Sequence, residues 1–214
     1  MRRRGVAAVL LLGALAACSD DPDPGSATEP SPPRTTPADL PAGCPAPLAE
    51  MDRERDEELR AELLAMFERD QSGRTGGPDD EGDEARTERL KEIVEEHGWP
   101  GTDLVGEDGE DAAWTIAQHS DLDPDFQRCA LAHLEIAVAQ GVASAGNLAY
   151  LADRVATAAG EPQIYGTQVG CGRKGPEPAT PLDDPGRVDE LRAEAGLEPY
   201  EDYLEEMAAV CGAP

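Results

Sequence analysis

Aromatic side chains are scarce in this chain: Phe, Trp and Tyr together make up 4% of it. Any core must therefore rely on Leu, Ala and Val. Lysine is scarce too, beside abundant Arg, Ala, Gly and Asp, a bias expected of a GC-rich source such as an actinomycete. Positive charge is short throughout: 18 Lys and Arg stand against 45 Asp and Glu, for a formal net charge of -27. Nucleic acid and anionic headgroups are bound by Lys and Arg that neutralise phosphates, so neither is expected as a partner. The acidic surface reads as a solvated face in preference to a cation-binding one.

No apolar run is long enough to cross a bilayer, which takes roughly 20 residues. The longest, Val6 to Leu15, follows Arg2, Arg3 and Arg4 and leads into Leu15-Ala16-Ala17-Cys18. A basic start, a short apolar stretch and small residues before a cut describe a signal peptide over residues 1–17. Cys at the first mature position specifies lipoprotein processing, in which the thiol takes diacylglycerol before cleavage. Two or more acyl chains then give durable attachment. The expectation is lipid attachment at Cys18 and a location on the outer face of the cytoplasmic membrane. An ordinary secreted protein with a Cys at this point is the alternative. Loss of the first seventeen residues removes three Arg and no acid from -27, leaving about -30. Residues 18–46 are Pro-, Ser- and Asp-rich with almost nothing apolar, so the stretch is expected to be a disordered tether.

Cys44, Cys129, Cys171 and Cys211 remain after Cys18, an even set in an oxidising compartment, and two disulfides are expected. Three pairings are possible, and Cys44 with Cys211 would tie the ends of the domain together. With no C-x-x-C and 3 His in the chain, the spacing is wrong for zinc, and neither metal nor cofactor is expected.

Residues 47–214 have the length of one domain and are expected to be mostly α, a compact bundle of six to seven helices with one short β-hairpin. Apolar residues at helical spacing place helices over 47–69, 84–97, 108–119, 124–140, 144–158, 185–195 and 200–211. The acidic stretch near 72–83 lacks the ligand register of an EF-hand and is expected to be a disordered loop. Gln163 to Val169 is expected to be a short strand, with an irregular return over 175–184.

Several residues together carry a resemblance. Gly98-Trp99-Pro100, Gly106, Ala113-Trp114, Gln118-His119, Gln127, Tyr150-Leu151, Asp153-Arg154 and Gln163-x-Tyr165-Gly166-Thr167-Gln168 run in that order. Val188-Asp189, Arg192 and Gly196-Leu197 follow. From about Leu59 to Tyr203 the chain resembles domain-of-unknown-function family 6624, departing from it by its cysteines and by Ser120, where Ala is commoner. The resemblance implies no activity.

Familiar catalytic signatures are missing: no G-x-S-x-G, no H-E-x-x-H, no Gly-Lys-Ser/Thr. Gly170 to Gly175 matches G-x-G-x-x-G but leads into a Pro-rich segment, with no helix N-terminus to hold a pyrophosphate. The remaining signal is a set of polar side chains beside apolar runs: Gln118, His119, Gln127, Asp153, Arg154, Gln163, Tyr165 and Gln168. His119 suits a general base, oriented by a carboxylate such as Asp153 or Asp121. Arg154 suits an anionic group through its planar fork, with Tyr165 as a further donor. Trp99 and Trp114 suit a sugar ring, although Trp is more often core. Three readings follow. One is a module binding an envelope ligand or protein in a pocket of the third helix, the fifth helix and 163–168. The second is an envelope hydrolase with His119 as base. In the third the polar side chains only satisfy one another.

Overall fold

The computed structural model describes residues 40–47 and 53–212; the expected signal peptide, Cys18 and most of the expected tether lie outside them. Among the described residues there are seven helices and one two-stranded antiparallel hairpin, the mostly α bundle expected. No helix among them is long and apolar enough to cross a membrane.

α1 (Glu57–Arg74) starts ten residues later than its apolar spacing suggests. The reason is a cap: the Asp56 carboxylate accepts from the amides of Glu58 and Leu59. Just before it Arg53 is drawn away to Asp103 and to the carbonyls of His97 and Trp99. Leu59, Leu63 and Met66 then bury one stripe of the helix. α2 (Gly82–His97) places Leu90, Ile93 and Val94 in the same core and ends at Gly98.

The acidic segment between α1 and α2 departs from its expectation as a disordered loop. Residues 72–74 belong to α1 and 82–83 to α2, and the turn between them closes on Arg86. That buried guanidinium meets both oxygens of Asp79, at 2.7 and 2.9 Å, and Asp83 at 2.7 Å. Its charge-assisted bonds hold the Asp79 carboxyl far below the usual carboxylate range. A run of acids reads as solvated only while its counter-ion, placed on the next helix, is overlooked.

α3 (Thr102–Gln118) is broken at Gly106, whose φ of 77° is left-handed. A Cβ there would lie 2.9 Å from the Arg55 guanidinium. The expected start at Asp108 is the beginning of the second, longer piece. α4 (Pro124–Ala139) opens on Asp123, which accepts from Phe126 N, with Pro124 in the first turn. α5 (Ala145–Ala159) opens on Ser144, which accepts from Asn147 N, and ends at Gly160. The core is shared by these five helices, with Leu63, Leu90, Val105, Ile116, Ala130, Leu134 and Leu151 at its centre.

The strand expected over Gln163–Val169 is displaced. β1 (Val169–Gly172) pairs with β2 (Gly175–Pro178), Val169 opposite Pro178 and Gly172 opposite Gly175. Residues 164–168 form no strand, and Gln163 makes an isolated parallel bridge to Leu182. α6 (Val188–Glu194) and α7 (Tyr200–Val210) close the chain. The disulfides are Cys44–Cys129 and Cys171–Cys211, so the expected tie between Cys44 and Cys211 is not made. The first bond fixes residues 40–46, expected as the end of the tether, onto α4, where Pro45 O also meets His133 Nε2 at 3.1 Å.

Candidate functional site

The polar residues singled out from the sequence divide into two groups. The first is internal wiring. Asp153, on the inner face of α5, is 0% exposed. Its carboxylate accepts from the amides of Ile164 (2.8 Å), Tyr165 (3.1 Å) and Thr167 (2.8 Å) and from the Thr167 hydroxyl (3.0 Å). This is why 163–168 winds about one point instead of extending as a strand. Gly166 turns the loop at φ 68°, where a Cβ would meet the Tyr200 ring at 2.6 Å.

Gln163 is equally buried. Its amide nitrogen donates to the carbonyls of Gln168 and Thr180, and its oxygen accepts from Gln168 N. Tyr165 is half-buried, and burial raises its phenol pKa; its carbonyl is held by Arg192 at 2.9 Å. Gln168 Nε2 reaches Thr167 Oγ1 at 3.2 Å. With Asp153 fully engaged this way, it does not orient His119.

The second group lies along the groove that two helices packed side by side, α3 and α5, leave between them. Asn147 donates to Asp111 at 2.8 Å, Trp114 meets Tyr150 edge to face at 6.2 Å, and Arg154 pairs with Asp121. Because these pairs rise together along both helices, the helices lie side by side and parallel. Gln118 falls between the aromatic layer and the ion pair and is 6% exposed. Gln127 secures this end of α3 by donating to the carbonyls of Ala117 and Gln118 and to Asp121. Tyr150 extends the aromatic wall to Tyr203, again edge to face, at 6.3 Å. Trp114 Nε1 and Gln118 Nε2, one helical turn apart, are buried donors with no acceptor among the described residues. Buried donors are nearly always satisfied, and an unmade bond costs about 1–3 kcal/mol.

His119 caps α3 beside this groove, with 21% of its side chain exposed. The carboxylate it meets is Asp70 of α1, not Asp153 or Asp121: Nδ1 lies 2.9 and 3.0 Å from the two Asp70 oxygens. Gln71 Nε2 and Arg74 Nε also donate to Asp70. The proton therefore sits on Nδ1, and the 3.0 Å approach of Arg74 Nε to that nitrogen is two donors sharing one carboxylate. Burial lowers the His119 pKa even against the pull of Asp70. Asp70 itself stays below its ordinary value: burial pushes it up, but Arg74 and His119 outweigh that. Asp70 escaped the sequence reading. Its signal was position, since 59, 63, 66 and 70 form one helical stripe and the fourth member is an acid.

Trp99, considered for sugar stacking, is core: it is 4% exposed and donates to Glu110 at 3.2 Å. Glu110 is the second residue missed. Buried on α3, it also accepts from Asn147 at 3.0 Å and borders a cavity of about 420 Å³ with Thr102, Glu107, Asp111 and Ser144. Burial pushes its pKa up to about 7. A raised carboxyl pKa means that the folded state holds a proton the unfolded chain has released. Its contribution to stability is thus full below the unfolded value and lost as pH rises through about 7. Glu110→Gln is expected to flatten the fall in stability between pH 5 and 8, on the order of 2 kcal/mol in urea unfolding. An unaltered slope would show that Glu110 ionises freely.

A protein-family model described as a family of unknown function (DUF6624) matches residues 57–213, which takes in α1 to α7 and both groups of polar residues. No curated protein and no solved structure matches the chain.

Proposed function

For a chain that belongs to the DUF6624 family of unknown function, we propose the role of a ligand-binding lipoprotein of the cell envelope. It is anchored through Cys18 at the outer face of the cytoplasmic membrane and takes a polar ligand in the α3/α5 groove. One observation carries the reading: Trp114 Nε1 and Gln118 Nε2 are buried donors left without acceptors on the same face of α3. A ligand oxygen between them removes two desolvation penalties at once. Trp114 and Tyr150, set edge to face, supply apolar surface, and the Arg154–Asp121 pair supplies a polar rim. The neutralised rim and the net charge of -27 favour an uncharged ligand over an anion.

The test is a ¹H–¹⁵N titration of the two indole signals with N-acetylglucosamine and with N-acetylated dipeptide amides. The Trp114 signal is expected to move while that of Trp99, bound to Glu110, stays. Gln118→Met is expected to abolish the shift and to raise stability by about 1 kcal/mol, because an orphaned donor has been removed. A Trp114 signal unmoved by both probes, together with a destabilised Gln118→Met, would mean that the donors are satisfied internally and the groove is closed.

A further inference from the structure

We propose that His119 and Asp70 form a general-base pair that hydrolyses a carboxylic ester at the C-terminal end of α3. This goes beyond binding and rests on the groove only for which esters are admitted. The Asp70 carboxylate, 0% exposed, holds the imidazole through Nδ1. Nε2 is thereby left with its lone pair on a side chain that reaches the surface. Neither of the other histidines is placed this way. His133 is buried with Nε2 against the Pro45 carbonyl, and His97 meets Glu96 on the surface of α2.

Water is the nucleophile. Ser120, next in the chain, is fully buried, donates to the Ile116 carbonyl at 2.8 Å and accepts from Thr87 at 2.9 Å. Its hydroxyl is therefore not available for attack. A carboxylic ester fits better than a phosphoester. Arg74 is balanced by Asp70 and Asp83, and Arg154 by Asp121, so no cationic cradle is spare in a strongly acidic protein.

The step balances without a co-reactant other than water. Nε2 takes a proton from water as the water oxygen bonds to the carbonyl carbon, and the carbonyl electron pair moves onto its oxygen. The pair returns, the ester C–O bond breaks, and the imidazolium gives its proton to the departing alkoxide. Acid and alcohol are released. Asp70 acts through His119 and is a positioning residue.

The experiment follows p-nitrophenol release from p-nitrophenyl acetate by the full chain. Turnover is expected without an initial burst, at a rate that rises with pH and reaches a plateau. His119→Gln is expected to lose at least about 100-fold while keeping its melting temperature, and His97→Ala is expected to lose nothing. Asp70→Asn is expected to lower the plateau and to move the acidic midpoint to lower pH, because the imidazolium loses its counter-ion. That midpoint shift is one that a merely structural Asp70 would not produce. A His119→Gln variant that retains the rate overturns the proposal, as does a stoichiometric burst from an acetylated histidine. The indole titration stands apart, since ester turnover can fail while Trp114 still reports a ligand.

Discussion

Asp153→Ala is expected to destabilise the domain by about 4–5 kcal/mol, among the largest losses a single substitution can cause here. The carboxylate is the shared acceptor of three backbone amides and one hydroxyl, and both Thr167 donors are fully buried. Its removal leaves the Thr167 donors with neither protein nor water. Asn is expected to rescue little: Oδ1 replaces one acceptor, but Nδ2 turns a second donor toward the Thr167 amide. The damage spreads through contacts made by the same loop. Arg192, fully buried, donates to the Tyr165 and Glu198 carbonyls and lies 4.9 Å over the Tyr203 ring, while the Tyr203 hydroxyl donates to the Thr167 carbonyl. Loss of the loop therefore unseats α6 and α7. Urea unfolding at neutral pH with disulfides intact checks the magnitude, and amide exchange at residues 164–167 checks the cause. A loss under about 1 kcal/mol would mean that water takes over the acceptors, and that the segment is a surface loop.

The sequence spoke most clearly where one residue determines an outcome locally. Asp123-Pro124 and Ser144 set the starts of α4 and α5 within a residue or so, because a cap and its helix are neighbours in the chain. It was ambiguous where the deciding partner is distant. The β-branched and aromatic residues at 164–169 have strand propensity, yet a carboxylate on α5 pulls their amides inward and propensity loses. Arg53, captured by Asp103 fifty residues on, forestalls an earlier start to α1 in the same way. The acids at 79 and 83 looked solvated because charge runs are judged without their cation, here Arg86.

The candidate site shows the same division. Gln118, His119 and Arg154 were legible as polar residues at the ends of apolar stripes, and the structure brings them to one edge of α3 and α5. Asp153 and Gln163 have the same polar character in the sequence, but the structure assigns them to the backbone. What separates the two groups is whether nearby amides need an acceptor, and that depends on tertiary placement. Asp70 and Glu110 were hidden in plain periodicity. Each occupies a buried position on its helix, where a charge is costly unless something pairs with it or it keeps a proton. His119 is the partner of the first, and a raised pKa is the solution for the second.

The Cys44–Cys129 bond spans 85 residues and Cys171–Cys211 spans 40, and the two loops do not overlap in the chain. Closing such loops in the unfolded chain removes entropy worth about 4–5 kcal/mol for the longer and about 4 for the shorter. Cys44→Ser with Cys129→Ser is accordingly expected to cost about 4 kcal/mol, and Cys171→Ser with Cys211→Ser slightly less. The two losses are distinguishable by what they release. The first frees residues 40–47 from α4 and uncovers Phe126 on one wall of a cavity of about 420 Å³. The second loosens only the hairpin from α7. The groove at Trp114 and Gln118 touches neither bond, so both double variants are expected to keep the Trp114 indole response below their lowered melting temperatures. Paired urea curves with and without reductant measure the cost, and reductant is expected to leave the Cys→Ser variant's own missing bond without further effect. A larger loss from the shorter loop would show that native packing of the hairpin, and not chain entropy, sets the stability contributed by these bonds.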